Sequence, residues 1–248
     1  YLPRIAQRTD IQGELPGLIN MKNVQRFRRV GHEIVPDTGR IPNPCGEIIL
    51  PDKGPCCLAT VYPTRCANEA EWKRNCRHAT FYAKIVTTIP HPWSCTNLVV
   101  QRERRIGVSQ TGLTILYDRD PIKFRTDISQ RYKDIRQCDD EISDQWGIPR
   151  SIRVTTIKPE GTLSLLAGTP AGMHFPIASS YLRRVRYARD HPDLKLFEAA
   201  GLPIDIDPRT DNTKVVTFPC NYSHKVRTTK QVNFFEQLTL AKTLQEAY

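Results

Sequence analysis

At 248 residues, with 39% hydrophobic and 25% charged residues, the chain is long enough for one large domain or two small ones around a hydrophobic core. No apolar run approaches the roughly eighteen residues of a membrane span, and no leader with a basic start, apolar middle and small-residue cleavage site opens the chain. A net charge of +10, from 36 basic and 26 acidic residues, favours anionic partners such as nucleotides, nucleic acid or acidic surfaces, although a solvated basic surface gives the same sum. Eight cysteines without a secretory signal suit a reducing, cytoplasmic setting better than a disulfide scaffold. No CxxC pair occurs, and Cys76 with His78 makes only two ligands, so no metal site is expected.

In chain order, residues 1–40 are polar and punctuated by Gly13, Pro16, Gly17, Pro36 and Gly39, with a short helix predicted inside "LPGLINMKNVQRF". Residues 41–63 carry Pro42, Pro44, Gly46, Pro51, Gly54 and Pro55; that density predicts an ordered loop, out and back, rather than a helix or a central strand. Residues 69–89 space Trp72, Cys76, Ala79, Tyr82, Ala83 and Val86 at threes and fours, an amphipathic helix closed by Pro90 and Pro92. "RRIGVSQTGLTIL" reads as a strand or turn followed by a helix start. Residues 127–148 form a second helical pattern ending at Gly147 and Pro149, and "SIRVTTI" is β-branched and strand-like. "KPEGTLSLLAGTPAGMHF" is a Gly/Pro-rich loop around a short apolar run. "SSYLRRVRYA" fits strand or helix, "DLKLFEAAGL" a helix with Gly201 past its end, "TKVVTFP" a strand, and residues 228–248 a last helix. The alternation defines an α/β class.

"NPCGE" holds the most chemistry. In an extended chain Asn43, Cys45 and Glu47 share one face, and Pro44 favours that extension at Asn43. Gly46 lets a ligand or another backbone approach. A thiolate nucleophile needs a cationic neighbour, whereas Glu47 pushes a nearby thiol pKa upward; His32 and His78 are the distant candidates for a base. A neutral thiol remains, able to give or take a hydrogen atom once an external oxidant starts it, with Cys56 and Cys57 across the return limb to complete a reduction. Taken alone, the pentapeptide also fits a turn with a buried cysteine. In "KPEGTLS", residues 158–164, a turn through Pro159 and Gly161 or the helix start beyond it can cradle an anion with backbone N–H groups, helped by Thr162 and Ser164; Glu160 must then point away. The bland alternative is a plain strand-to-helix loop. Cys66, Cys76, Cys95, Cys138 and Cys220 read as packed or free thiols, His174 as packing, and Arg102, Arg104, Arg105, Arg183, Arg184 and Arg186 as solvated faces.

"NPCGE" with a cysteine eleven residues on, "RRIGVSQTGL", "TTIKPEGTLSLLAGTPAGMHF", "LRRVRYA", "FEAAGLP" and "KVVTFP" occur in the order in which similar segments occur in ribonucleotide reductases. The resemblance spans about residues 13–248. Through "LLAGTPAGMHF" and "LRRVR" it is nearest to the class II, adenosylcobalamin-dependent ribonucleoside-triphosphate reductases. The resemblance implies part of a ten-stranded α/β barrel, with residues 1–248 a single partial catalytic domain and residues 41–63 its central radical-cysteine finger loop. It implies that Cys45 is the thiyl-radical cysteine, Glu47 the base on the ribose 3′-hydroxyl, Asn43 a holder of the ribose hydroxyls, and Cys56 half of the redox dithiol, Cys57 being the neighbour one residue off. Pro159, Glu160, Gly161, Thr162, Leu163 and Ser164 would form the substrate-phosphate loop. The implied cofactor is adenosylcobalamin. The implied partners are a ribonucleoside triphosphate, an allosteric deoxynucleotide on the full-length chain and thioredoxin or a similar reductant, with no membrane. The chain starts at Tyr1 rather than Met and ends on a helical pattern without a breaker, so a section of a longer polypeptide, inactive alone, is expected. Competing readings are a basic α/β nucleic-acid-binding module with incidental cysteines and a thiol-redox or metal-binding protein.

Overall fold

The computed structural model describes residue 19, residues 37–222 and residues 224–248. The short helix expected within residues 15–27, apart from Ile19, and His32 lie outside the described residues.

The proline-rich loop is a narrow hairpin. β1 (Ile41–Pro42) pairs antiparallel with β2 (Ile49–Leu50), Ile41 opposite Leu50. Its return limb then becomes β3 (Leu58–Val61), so residues 41–63 are not loop throughout: the last proline before β3 is Pro55, and the Pro-free stretch that follows enters the sheet beside β4. β3 runs parallel to β4 (Gly107–Gln110), Leu58 opposite Gly107 through Val61 opposite Gln110.

Parallel neighbours need a crossover, and two helices supply it. α1 (Glu69–Val86) is capped by Asn68, whose side chain accepts from the Glu71 N–H at 2.9 Å. Trp72, Cys76, Thr80 and Ala83 are buried as the spacing requires. Tyr82, expected on that face, is 60% exposed, and its polar neighbour Lys84 is fully buried. α2 (Ser94–Glu103) has no counterpart in the sequence reading; its apolar residues are few, Leu98 is exposed, and it ends where Arg104 turns left-handed at φ 44°.

After β4 come α3 (Leu113–Arg119) and α4 (Pro121–Trp146). α4 starts six residues before its apolar pattern because Asp120 accepts from the N–H groups of Ile122 and Lys123 at 3.0 and 2.9 Å and Pro121 suits the first turn. Residues 151–157 return beside β4 as a third parallel path. Val108 donates to Val154 O at 2.8 Å and Thr156 donates to Val108 O at 3.2 Å, though only Val108 and Thr155 form a bridge. α5 (Ser164–Ala167) is a single turn. β5 (Ser180–Ala188), β6 (Ile204–Ile206) and β7 (Thr213–Asn221) form a separate antiparallel sheet in the order β5-β7-β6, with α6 (Leu194–Ala199) setting Phe197 between Tyr187 and Phe218. α7 (Phe234–Ala247), capped by Asn233, returns Tyr248 to the core, where its hydroxyl donates to Val108 O at 2.8 Å. The described residues thus form a mixed α/β structure with sheets of two, two and three strands, and no closed barrel among them.

The core lies between the parallel strands and α1, α4 and α7, through Cys76, Ile106, Val108, Ile128, Ile135 and Leu240. Inside it sits an ion pair: Lys84 Nζ lies 2.8 Å from Asp139 Oδ1, with both side chains 0% exposed. Lys84 also donates to Ser151 Oγ and Pro149 O, at 2.9 and 3.1 Å, and the Ser151 N–H donates to Asp139 Oδ2 at 2.8 Å. Removing one partner of a buried pair strands the other charge at a cost of about 3–5 kcal/mol. Lys84→Met is therefore expected to lower unfolding free energy by about 3 kcal/mol or more in urea titrations; a loss under about 1 kcal/mol would contradict the burial of this pair.

Candidate active site

The hairpin tip is a turn rather than the extended run on which Asn43, Cys45 and Glu47 would share a face. The Gly46 N–H donates to Asn43 O at 2.9 Å, the Asn43 N–H to Ile48 O at 3.0 Å, and Gly46 takes φ +79°. A turn wins over extension because Gly46 is free to adopt the left-handed region. Asn43 closes it from the side chain as well: Oδ1 accepts from the Ile48 N–H at 3.3 Å, while Nδ2 points to Cys56 Sγ at 3.8 Å. Cys45 is exposed at the tip. Glu47 is half-buried, with Oε2 out of solvent and without a hydrogen-bond partner among the described residues.

The base of the hairpin is pinned by charge. Asp37 accepts from Arg105 and Arg153, each at 2.7 Å. Arg105 also meets Glu103 at 3.1 Å and is buried, as is Arg104; neither is on the solvated face expected of them, because the carboxylates that neutralise Arg105 are themselves buried or nearly so. Arg184 and Arg186 are exposed, paired with Asp205 and Asp207.

The hairpin rests on one face of the parallel strands. Gly107 stands opposite Leu58, and a Cβ added to it would meet the Leu58 and Thr156 side chains at 2.5 and 2.8 Å, which places those residues together. Along the same face, Thr60 is opposite Ser109, and the Val108–Thr155 bridge sets Thr156 beside Ser109. Three hydroxyls thus cross the sheet in a row, one partnered by the hairpin and two by the loop that follows residue 157. Thr156 Oγ1 donates to Glu47 O at 2.6 Å, Ser109 Oγ accepts the Lys158 N–H at 2.9 Å, and Thr60 Oγ1 donates to Glu160 Oε1 at 2.8 Å. Sequence reasoning missed this row; its signal is a hydroxyl residue inside each apolar strand, in "LATV", "GVSQ" and "VTTI".

Cys56 and Cys57 part company at the entry to β3. Cys57 is 5% exposed and packs in the core; Cys56 is half-buried beside Asn43. Burial, then the Glu47 carboxylate, then Cys57 push the Cys56 thiol up to about 11; Lys158 pulls it down and Cys45 adds a smaller upward push. All eight cysteines are free, Cys76 and Cys138 are buried, and burial pushes Cys76 up to about 12.

In residues 158–164, expected to cradle a phosphate, Pro159, Gly161, Thr162 and Leu163 are exposed, and open space surrounds Gly161. Glu160 and Ser164 are buried, and the Ser164 N–H already serves Glu160 O at 3.1 Å. His174 is exposed next to Phe175, over whose ring Arg227 lies at 5.3 Å. A hollow of about 650 Å³ runs along β3 past Thr60, Tyr62, His78 and Lys158, and another of about 610 Å³ is bordered by Gly46, Glu47, Arg153 and Met173. Among the described residues no three His, Cys, Asp or Glu side chains converge as a metal site, and no helix is long and apolar enough to cross a membrane.

No family model matches the chain. Its fold is similar to the crystal structure of a B-12-dependent (class II) ribonucleotide reductase, with a TM-score of 0.75 and 28% identity over 85% of this chain and 34% of that one. A class Id ribonucleotide reductase alpha subunit from Actinobacillus ureae, 17% identical with a TM-score of 0.57 over 81% of this chain and 42% of that one, shares the fold. In sequence the chain is 35% identical to the adenosylcobalamin-dependent ribonucleoside-triphosphate reductase of Euglena gracilis over 96% of its own length, and 33% identical to that of Lactobacillus delbrueckii subsp. bulgaricus over 82%. These alignments cover 33% and 32% of those proteins, so the chain spans about a third of the length of the curated relatives it matches. The resemblance read from the motifs is borne out over nearly the whole chain.

Two measurements test the geometry. Burial raises the Asp37 carboxyl, but hydrogen bonds from Arg105, the Gly39 N–H and Arg153, with the charge of Arg105, outweigh it and hold it at about 2 against an ordinary 3.8. A carboxyl depressed on folding stabilises above its unfolded value and loses that stability as pH falls from 3.8 towards 2. Asp37→Asn is expected to cost about 2 kcal/mol at pH 7, a difference that closes below pH 3 in urea unfolding. Separately, iodoacetamide labelling of Cys56, followed by mass spectrometry, is expected to titrate near pH 11, and Glu47→Gln to move that midpoint down because a negative neighbour is gone. An unmoved midpoint would place the Glu47 carboxylate away from Cys56.

Proposed function

We propose that this chain carries the radical-cysteine section of an adenosylcobalamin-dependent ribonucleoside-triphosphate reductase, a cytoplasmic enzyme that makes deoxyribonucleotides for DNA replication. The observation that supports it is the grouping of Cys45, Asn43, Glu47 and Cys56 about one hairpin seated on parallel strands. In this reading residues 1–248 are part of one catalytic domain, a ten-stranded barrel, with residues 41–63 as the finger loop at its centre.

Cys45 sits between Pro44 and Gly46 on an exposed turn, and apart from the two adjoining residues no described atom lies within 4 Å of a Cβ added to Gly46. A bulky cofactor can therefore approach the sulfur from outside the turn. Adenosylcobalamin, when bound, supplies the external one-electron oxidant that a neutral thiol needs. The Cys45 thiyl takes the 3′ hydrogen atom of the ribose. Glu47, whose buried Oε2 is unpaired, accepts the 3′-hydroxyl proton as the 2′-hydroxyl takes a proton from the dithiol and leaves as water, and it returns that proton to the 3′ oxygen once C2′ is reduced. Asn43 holds the ribose hydroxyls. Cys56 is protonated at neutral pH with its pKa near 11, the form that delivers hydrogen; with a second thiol it gives two electrons and two protons and ends as a disulfide. The hydrogen atom then returns from Cys45 to C3′. Thioredoxin or a similar dithiol restores the pair, and a deoxynucleotide effector acts elsewhere on the enzyme. The exposed segment 161–163 receives the triphosphate on backbone N–H groups.

The nucleic-acid alternative draws only on the +10 charge, and several of the arginines behind that sum are engaged by carboxylates, as at Arg105, Arg184, Arg186 and Arg227. In the active reductase, Cys45→Ser is expected to lower nucleotide reduction at least about a thousandfold while circular dichroism is unchanged. Retained reduction in that variant would remove the radical role from Cys45.

A further inference from the structure

Glu160 is an oddity within the loop. It takes φ +59°, a region that costs a residue with a Cβ about 1–2 kcal/mol, and its side chain is 0% exposed. A buried carboxylate is costly unless hydrogen-bonded and paired; here Oε1 is engaged, while Oε2 has no hydrogen-bond partner among the described residues. Oε1 accepts from Thr60 at 2.8 Å and lies 3.9 Å from Lys158 Nζ. Lys158 is itself fixed: its N–H donates to Ser109, and its carbonyl packs so tightly on the next loop that a Cβ added to Gly172 would stand 2.4 Å away. The loop is therefore tied to β3 by Glu160, to β4 by Lys158 and to residue 172 from above. Immediately beyond the tie the chain emerges, with Gly161, Thr162 and Leu163 exposed and Gly161 in open space.

We propose that Glu160 is a positioning residue rather than an anion ligand: anchored on the Thr60 hydroxyl and the Lys158 ammonium, it holds the left-handed turn that presents residues 161–163 to the phosphoryl groups of a nucleotide. This rests on the phosphate-loop reading above. The side chain sits under the loop because a carboxylate facing a triphosphate would repel it. Thr60 is thereby the anchoring contact of β3: its hydroxyl, and not its bulk, is what the loop needs.

The test uses the full chain with GTP as the probe, and compares amide hydrogen exchange at residues 161–164 with GTP binding by calorimetry. Thr60→Val removes one hydrogen bond to a charged group, so loop exchange is expected to rise and GTP affinity to fall about tenfold or more, with α1 and α4 protection unchanged. Thr60→Ser, which keeps the hydroxyl, restores both. Glu160→Gln, which keeps an acceptor for Thr60 but loses the charge facing Lys158, falls between. Loop exchange in Thr60→Val equal to wild type overturns the anchor. Gly161→Pro, which deletes one loop N–H, separates the two readings. If it weakens GTP binding and Thr60→Val does not, the positioning role falls alone. If neither variant weakens GTP binding, the phosphate-loop reading falls and takes the positioning role with it.

Discussion

The arrangement of the parallel strands turns on one buried ion pair. Lys84 lies on α1, inside the crossover from β3 to β4; Asp139 lies on α4, inside the crossover from β4 to residues 151–157; Ser151 opens that third path. The pair is withdrawn from water, so its attraction alone would not offset the desolvation of two charges. It is tolerated because its hydrogen-bonding capacity is used: Lys84 donates to Asp139, Ser151 and Pro149, and Asp139 accepts from both the backbone and the hydroxyl of Ser151. Such a joint has one geometry. It fixes where the third path starts, and with it which residue of residues 151–157 stands beside Ser109.

That register matters because the site is hung from it. Thr60, Ser109 and Thr156 form a row only when the three paths are in this alignment, and a slip of one residue would turn Thr156 to the helix-covered face. Each hydroxyl holds a different piece: Thr156 the hairpin through Glu47 O, Ser109 the start of residues 158–164 through the Lys158 N–H, and Thr60 the buried carboxylate of that loop. The hairpin's other support, Asp37 between Arg105 and Arg153, again reaches the first residues before β4 and the third path. The thiols and carboxylates come from loops with little regular structure of their own, and their placement is borrowed from the strands.

The legible parts of the sequence are those where a local period or a cap acts alone. α1, α4, α6, α7 and β7 follow from apolar spacing, β-branched runs and Gly147 or Gly201 at helix ends, whereas β5 fitted strand or helix equally until its pairing with β7 decided it. α2 was not legible, since it carries little apolar signal, nor was the three-residue β6. Tyr82 and Lys84 exchange their expected burial because an acidic partner on another helix reverses the ordinary preference of a lysine for water. At the tip, alternation suggested one face for Asn43, Cys45 and Glu47, whereas the chain turns at Gly46 and gathers Asn43 and Glu47 around Cys56 instead.

By itself, the sequence determined the α/β class, most of the elements, the motifs that tie the chain to ribonucleotide reductases, and which residue types could do the chemistry, because these depend on neighbours within a turn or a strand. Tertiary structure alone decided that Cys56 faces the hairpin while Cys57 enters the core, that Glu160 points inward, and that three hydroxyls from separate strands line up beneath the site. The last two depend on contacts between residues 49 to 109 positions apart, and no local pattern encodes a pairing whose partners meet only when both crossovers have closed.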